Sequence, residues 1–249
     1  MRKISRKMLK NFLLICLVVW LLQGCKTIDL RQRSQTNTTQ QVSLGSVGLD
    51  KDFILQEEFN NAALPNYTAP LKISVKLMPF NKQAYKAFNK AEALQSATVR
   101  VNYIDSVKNK PRYIKLQIAD KVAMIDALND TNNRSVKNYL GHNAHTNIIT
   151  SISWALGQSD IDAVMNADAV FLVEKGLKTY VLQLYKGGAK TQVIPFNRGV
   201  VFGYKGSNCC WQENNRRQIN IVDLVSEFSH CPNKTYRSSK RAKKKTKLF

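Results

Sequence analysis

The chain has 249 residues, 44% of them hydrophobic, and a formal net charge of +21. That length suits one domain with a sizeable core and at most a small addition, and the ordinary apolar content excludes a wholly disordered chain. No apolar run after residue 24 approaches the roughly 20 residues that a membrane-crossing helix needs.

The charge is unevenly distributed. Residues 1–24 carry Arg2, Lys3, Arg6, Lys7 and Lys10 and no acid, so the chain from residue 25 stands at +16. The end from Lys234 carries Lys234, Arg237, Lys240, Arg241, Lys243, Lys244, Lys245 and Lys247, again without an acid, and the stretch between is +8. The body is thus moderately basic, and half of the excess sits in the last few residues.

The first cations precede an uncharged run from Phe12 to Leu22, about half the length of a span. A positive n-region, a short apolar h-region and a small-residue cleavage site make a secretory signal. Leu22-Gln23-Gly24-Cys25 closes it and resembles the lipobox of bacterial lipoproteins, although Gln23 stands where the family prefers Ala, Ser or Thr. The resemblance implies that the Cys25 thiol receives a diacylglyceryl group, that cleavage falls before Cys25, and that the new amine is acylated, with palmitate the expected kind of chain. Two or more buried acyl chains hold a protein stably, at about 0.8 kcal/mol per methylene. Lys26 stands where Asp marks inner-membrane retention in that family, so the outer membrane is the implied location.

Residues 25–52 are rich in Gln, Thr and Ser and are expected to be a disordered tether. The domain is expected over 53–233, starting with a short helix within Phe53 to Leu64 that Pro65 ends. Leu71 to Leu77 alternates as a half-buried strand, and Asn81 to Gln95 has Ala84, Phe88, Ala91 and Leu94 at helical spacing. Val99, Val101 and Tyr103 mark a second strand, and Ile114, Leu116 and Ile118 a third. Asp120 caps a helix presenting Val122, Ile125 and Leu128. Asn132 or Asn133 caps another, which Gly141 stops. Asn147 to Leu156 is a fourth strand. This strand, helix, strand, strand, helix, strand order is that of a split β-α-β, ferredoxin-like α+β fold.

A short helix over Ser159 to Asn166 is followed by strands at Ala169 to Val173, Thr179 to Tyr185, Thr191 to Phe196 and Gly199 to Tyr204. Gly187-Gly188 marks a hairpin turn, so an antiparallel meander is expected to extend or cap the first sheet. Ile221, Leu224, Val225 and Phe228 have the spacing of a closing helix. Residues 234–249 are expected to be a disordered basic tail.

Little of this points to catalysis. His142 and His145 fall where a loop is expected, without an extended ligand set. Asp126 and Asp130 are helix neighbours and read as a solvated face rather than an acid/base pair. No phosphate loop or dinucleotide fingerprint occurs, and no cofactor or metal is expected. Cys209, Cys210, His230 and Cys231 offer thiolate and imidazole ligands, but outside the reducing cytosol thiols pair instead. A bridge from Cys231 to Cys209 or Cys210 is expected, with Cys210 slightly preferred. The alternation around Trp211 is too short to fix which side chain faces inward.

Lys240, Arg241, Lys243, Lys244, Lys245 and Lys247 would suit nucleic acid in the cytosol; in an envelope the available polyanions are anionic lipid and polysaccharide. The resulting expectation is a lipid-anchored envelope protein with a non-catalytic binding or scaffolding role and an unidentified envelope protein partner. The alternatives are a hydrolase of cell-wall or polysaccharide material and a subunit of a secretion or surface-assembly complex.

Overall fold

A computed structural model of the chain describes residues 35–50, 59–143, 145–227 and 229–245. The expected signal and Cys25 lie outside the described residues, as do residues 51–58 and Lys247. No helix among the described residues is long and apolar enough to cross a membrane.

The fold is built on one large antiparallel sheet. Its strands are β1 (Thr36–Asn37), β2 (Val47–Asp50), β3 (Phe59–Ala63), β4 (Leu71–Pro79), β5 (Arg112–Ile118), β6 (Thr146–Ala155), β7 (Ala169–Gly176), β8 (Thr179–Lys186), β9 (Ala189–Pro195), β10 (Val200–Glu213) and β11 (Ile219–Ser226). The path runs β1-β10-β6-β5-β4-β7-β8-β9; β11 adds to the far half of β10, and β2 joins β6 to β3. Every pairing is antiparallel. The helices are α1 (Lys82–Glu92), α2 (Lys121–Asn129), α3 (Arg134–His142), α4 (Gln158–Met165) and α5 (Ser239–Lys245).

An α+β chain with an antiparallel meander over β7, β8 and β9 is what the strand and turn signals dictate. Gly187 and Gly188 both adopt positive φ in the β8–β9 turn, a conformation open to glycine without steric cost. Asn81 caps α1 and Asp120 caps α2, each carboxyl or amide oxygen accepting from the amide of the third residue on. Alternation then sorts the side chains of β5: Ile114, Leu116 and Ile118 enter the main core, and Tyr113 faces the other way. On that second face α1 packs Ala87, Phe88 and Ala91 against Ala155, Val200 and Phe202, with Phe80 stacked on Phe202.

Several expectations fail. The ferredoxin-like order is not formed, because Val99 to Tyr103 is not a strand. Its apolar residues serve the small second core instead: Val99 is buried, and Tyr103 stacks on Tyr85. Consequently β4 and β5 are direct neighbours. Asn133 does not cap α3 with its side chain; it is buried and ties the Asn66 amide and carbonyl to the Ala127 carbonyl. Gly141 does not stop α3, which runs on to His142. A Cβ on Gly141 would lie 3.3 Å from the Ser239 hydroxyl and 3.6 Å from the Trp211 ring, so this glycine serves a close approach.

The closing helix at Ile219 to Phe228 is instead β11. Its apolar residues satisfy a 3.6-residue spacing, but the segment, with β-branched Ile219, Ile221 and Val222, forms a strand that pairs with β10 through a turn at Asn214 to Arg217. The expected helix after Phe53 is β3 where it is described.

The tether expected at 25–52 is part of the sheet from Gln35 onward. β1 pairs with β10, the Gly45 amide donates to the Ile149 carbonyl, and Val42, Leu44 and Val47 are buried. Backbone ladder bonds and three apolar side chains suffice to order a polar segment, which composition does not register. The basic tail is likewise built into the fold from Lys234 to Lys245.

Candidate functional site

The expected site residues near the C-terminus converge on the far half of β10. Successive strand residues point to opposite faces, so Cys209 and Cys210 part company. Cys209 enters the main core as a free thiol, and burial pushes its pKa well up, making it a poor nucleophile. Cys210, on the other face, is joined to Cys231 across a separation of 21 residues. His230 is exposed beside that bridge.

Beyond Cys231 the chain returns to β10. Trp211 and Tyr236 exchange two backbone hydrogen bonds, of 2.7 and 2.9 Å. Arg237 then spreads its guanidinium over the loop it has just left. Nη2 donates to the carbonyls of Ser226 at 3.0 Å and Ser229 at 2.6 Å and to that of Glu227, while Nη1 donates to Asn208 Oδ1 at 3.2 Å. Ser239 donates to the Gly141 carbonyl at 2.6 Å, and Ala242 of α5 is buried. Disulfide, strand pair, guanidinium and helix thus form a clasp that fixes the C-terminal segment. Lys240, Arg241 and Lys243 stand exposed on α5; Lys244 and Lys245 continue that helix.

A second cationic group escaped sequence reading because its members are far apart along the chain. On the face of the sheet that carries Tyr113, Lys76 of β4 lies opposite Lys115 of β5, and Lys115 opposite Ser153 of β6. One row along, Ser74, Gln117 and Ser151 follow across the same three strands, and Lys205 of β10 lies opposite Ser151. Lys72 extends β4 in the same parity. Gln35 lies over the serines: its amide nitrogen donates to Ser151 Oγ at 3.1 Å, and Ser153 donates to its oxygen. Ser151 in turn donates to the Leu116 carbonyl at 2.7 Å. Lys115 is half-buried, and its pKa is lowered by desolvation first, then by the ammonium groups of Lys205 and Lys76. The i, i+4 lysines of β4, Lys72 and Lys76, were the available signal; cross-strand register was needed to add the others.

The remaining candidates occupy structural roles. His142 shares a hydrogen bond with the Asn138 carbonyl at 2.6 Å, and the His145 amide donates to Asn143 Oδ1 at 3.0 Å. Asp130 caps the turn at Thr131–Asn133, Asp160 is buried against Arg198 at 3.2 Å, and Asp168 accepts from the Gly187 amide at 2.7 Å. Glu213 has one carboxylate oxygen buried without a hydrogen-bond partner among the described residues, beside an open polar hollow at the β10–β11 turn. Among the described residues no three His, Cys, Asp or Glu side chains are grouped to hold a metal. Compared with known protein families, characterised proteins and solved structures, the chain matches none.

Proposed function

We propose that this chain is a lipid-anchored lipoprotein of a bacterial envelope, held at the outer membrane through Cys25, with a non-catalytic binding role. The observation that supports the compartment is the Cys210–Cys231 bridge at the centre of the C-terminal clasp, since such bridges persist outside the reducing cytosol. It agrees with the signal and the Leu22-Gln23-Gly24-Cys25 motif, which are independent of it. Binding rather than hydrolysis fits Asp120, Asp130, Asp160, Asp168 and Asp223, which cap helices, close turns and pair with Lys121 or Arg198, and the deeply buried, proton-holding Cys209.

The clasp carries the α5 cations on a fixed support, which makes them available to anionic lipid head groups. The test is expression with a radiolabelled or alkyne-tagged fatty acid. The parent chain takes up label and fractionates with the outer membrane. Cys25→Ser takes up none and accumulates as the uncut precursor. Equal labelling and processing of the two chains would remove the anchor from this reading.

A further inference from the structure

We infer that the turn Ile104-Asp105-Ser106-Val107 is a second membrane contact, whose two aliphatic side chains enter the surface of a bilayer containing anionic lipid. The bilayer is the one proposed above to hold Cys25, so the inference rests on that reading for its location; the make-up of the turn does not depend on it.

Three observations carry it. First, the Val107 amide donates to the Ile104 carbonyl at 3.3 Å, which closes a tight turn. The two ends of such a turn favour Asp, Asn, Ser or Gly. Here they hold β-branched aliphatic side chains that are 57% and 42% exposed. Of the large apolar side chains exposed among the described residues, no other two share a turn. Side chains of this kind gain free energy by leaving water.

Second, the charge around the turn has one sign. The stretch from Arg100 to Arg112 carries Arg100, Lys108, Lys110 and Arg112 against the single acid Asp105. That acid is satisfied locally: Tyr103 donates to Asp105 Oδ1 at 2.6 Å, and Lys110, which lies over the Tyr103 ring, donates at 3.4 Å. Its carboxyl is held below the ordinary value by the Tyr103 hydrogen bond first, then by Lys110, with Lys82 of α1 adding to them. Lys82, Lys108 and Arg112 stand exposed. An apolar tip among cations matches the boundary between anionic head groups and acyl chains.

Third, the turn is within reach of the anchor. Nine residues, 26 to 34, separate Cys25 from Gln35, a length that spans at most roughly 36 Å. Gln35 lies over Ser153, on the sheet face that carries Tyr113. From Tyr113, ring contacts of 4.9, 6.4 and 4.8 Å lead through Phe80 and Tyr85 to Tyr103, beside the turn. A short link gives a tethered site a high effective concentration at the bilayer, so a contact of two side chains suffices there. A stable protein interface, by contrast, buries about 800 Å² on each partner.

Leu177, wholly exposed on the β7–β8 turn, is the internal comparison. β7 meets β4 at Leu71 to Ile73 and runs on past Leu71, so that turn lies beyond one end of β4. The bond from the Phe80 amide to the Pro111 carbonyl brings the segment after Val107 to the other end.

The experiment uses the full processed chain with an environment-sensitive fluorophore on Ser106→Cys, in phosphatidylcholine vesicles with and without phosphatidylglycerol. Cys209 is buried and Cys210 is bridged to Cys231, and the parent treated with the same reagent is the blank. With phosphatidylglycerol present, the emission shifts to the blue and is quenched by lipid-borne nitroxide. The fluorophore on Leu177→Cys does not shift. Adding Ile104→Ser/Val107→Ser removes the shift and leaves the urea midpoint unchanged, since both side chains are exposed. Adding Lys108→Gln/Arg112→Gln lowers the ratio of inserted to free turn about tenfold at low salt.

An unshifted fluorophore on Ser106→Cys in a chain that stays with the vesicles would overturn the proposal. So would an equal shift on Leu177→Cys, or a shift that survives Ile104→Ser/Val107→Ser. A shift that grows with protein concentration in the absence of vesicles would assign the turn to a second copy of the chain and also overturn it. Retention on pure phosphatidylcholine vesicles reads the anchor, and the shift with phosphatidylglycerol reads the turn, so the two failures are separately visible.

Discussion

Arg237 concentrates much of the C-terminal order in one side chain. Its planar guanidinium satisfies the carbonyls of Ser226, Glu227 and Ser229 together with the Asn208 amide, which a lysine ammonium could not span. Arg237→Ala should therefore cost about 2 kcal/mol in urea unfolding, because charge-assisted bonds are lost and half-buried carbonyls are left exposed to competition with water. Arg237→Lys should recover less than half of that loss.

Cys209 is a residue-scale prediction of the opposite kind. Its folded pKa is raised by burial, whereas an unfolded thiol ionises near pH 8.5. Above that pH the unfolded chain gives up a proton that the folded chain keeps, so stability falls as pH rises. Between pH 8 and 9.5 the parent should lose about 1 kcal/mol more than Cys209→Ala, read from paired unfolding curves.

At the scale of elements, α5 and the strands it covers show how position outweighs composition. The segment from Lys234 is rich in lysine and arginine, yet Tyr236 pairs with Trp211 and Ala242 is buried. Removing the chain from Ser238 onward should lower the melting temperature by about 5 °C, since the Ser239–Gly141 bond and the Ala242 contact are lost together. An unchanged melting temperature would show that α5 contributes nothing to the domain.

For the molecule as a whole, the Cys210–Cys231 bridge closes the region that joins β10, β11 and the C-terminal segment. In the chain-entropy description a bridge over that separation stabilises by about 3 kcal/mol. Cys231→Ser should cost about that much in equilibrium unfolding. Treatment of the parent with a reductant should lower its stability by a similar amount and leave Cys231→Ser unmoved.

By itself the sequence determined the features that depend on near neighbours. The alternation of β4 and β5, the Asn81 and Asp120 caps and the Gly187-Gly188 turn are all local patterns, set by backbone geometry and side-chain chemistry within a few residues. Tertiary structure alone decided the rest. Ile219 to Ser226 satisfies both a helical and a strand pattern, and only pairing with β10 selects between them. Gln35 to Asp50 is ordered by ladder bonds that composition does not encode. Lys76, Lys115 and Lys205 become neighbours solely through register, where a shift of one residue would turn each of them to the opposite face.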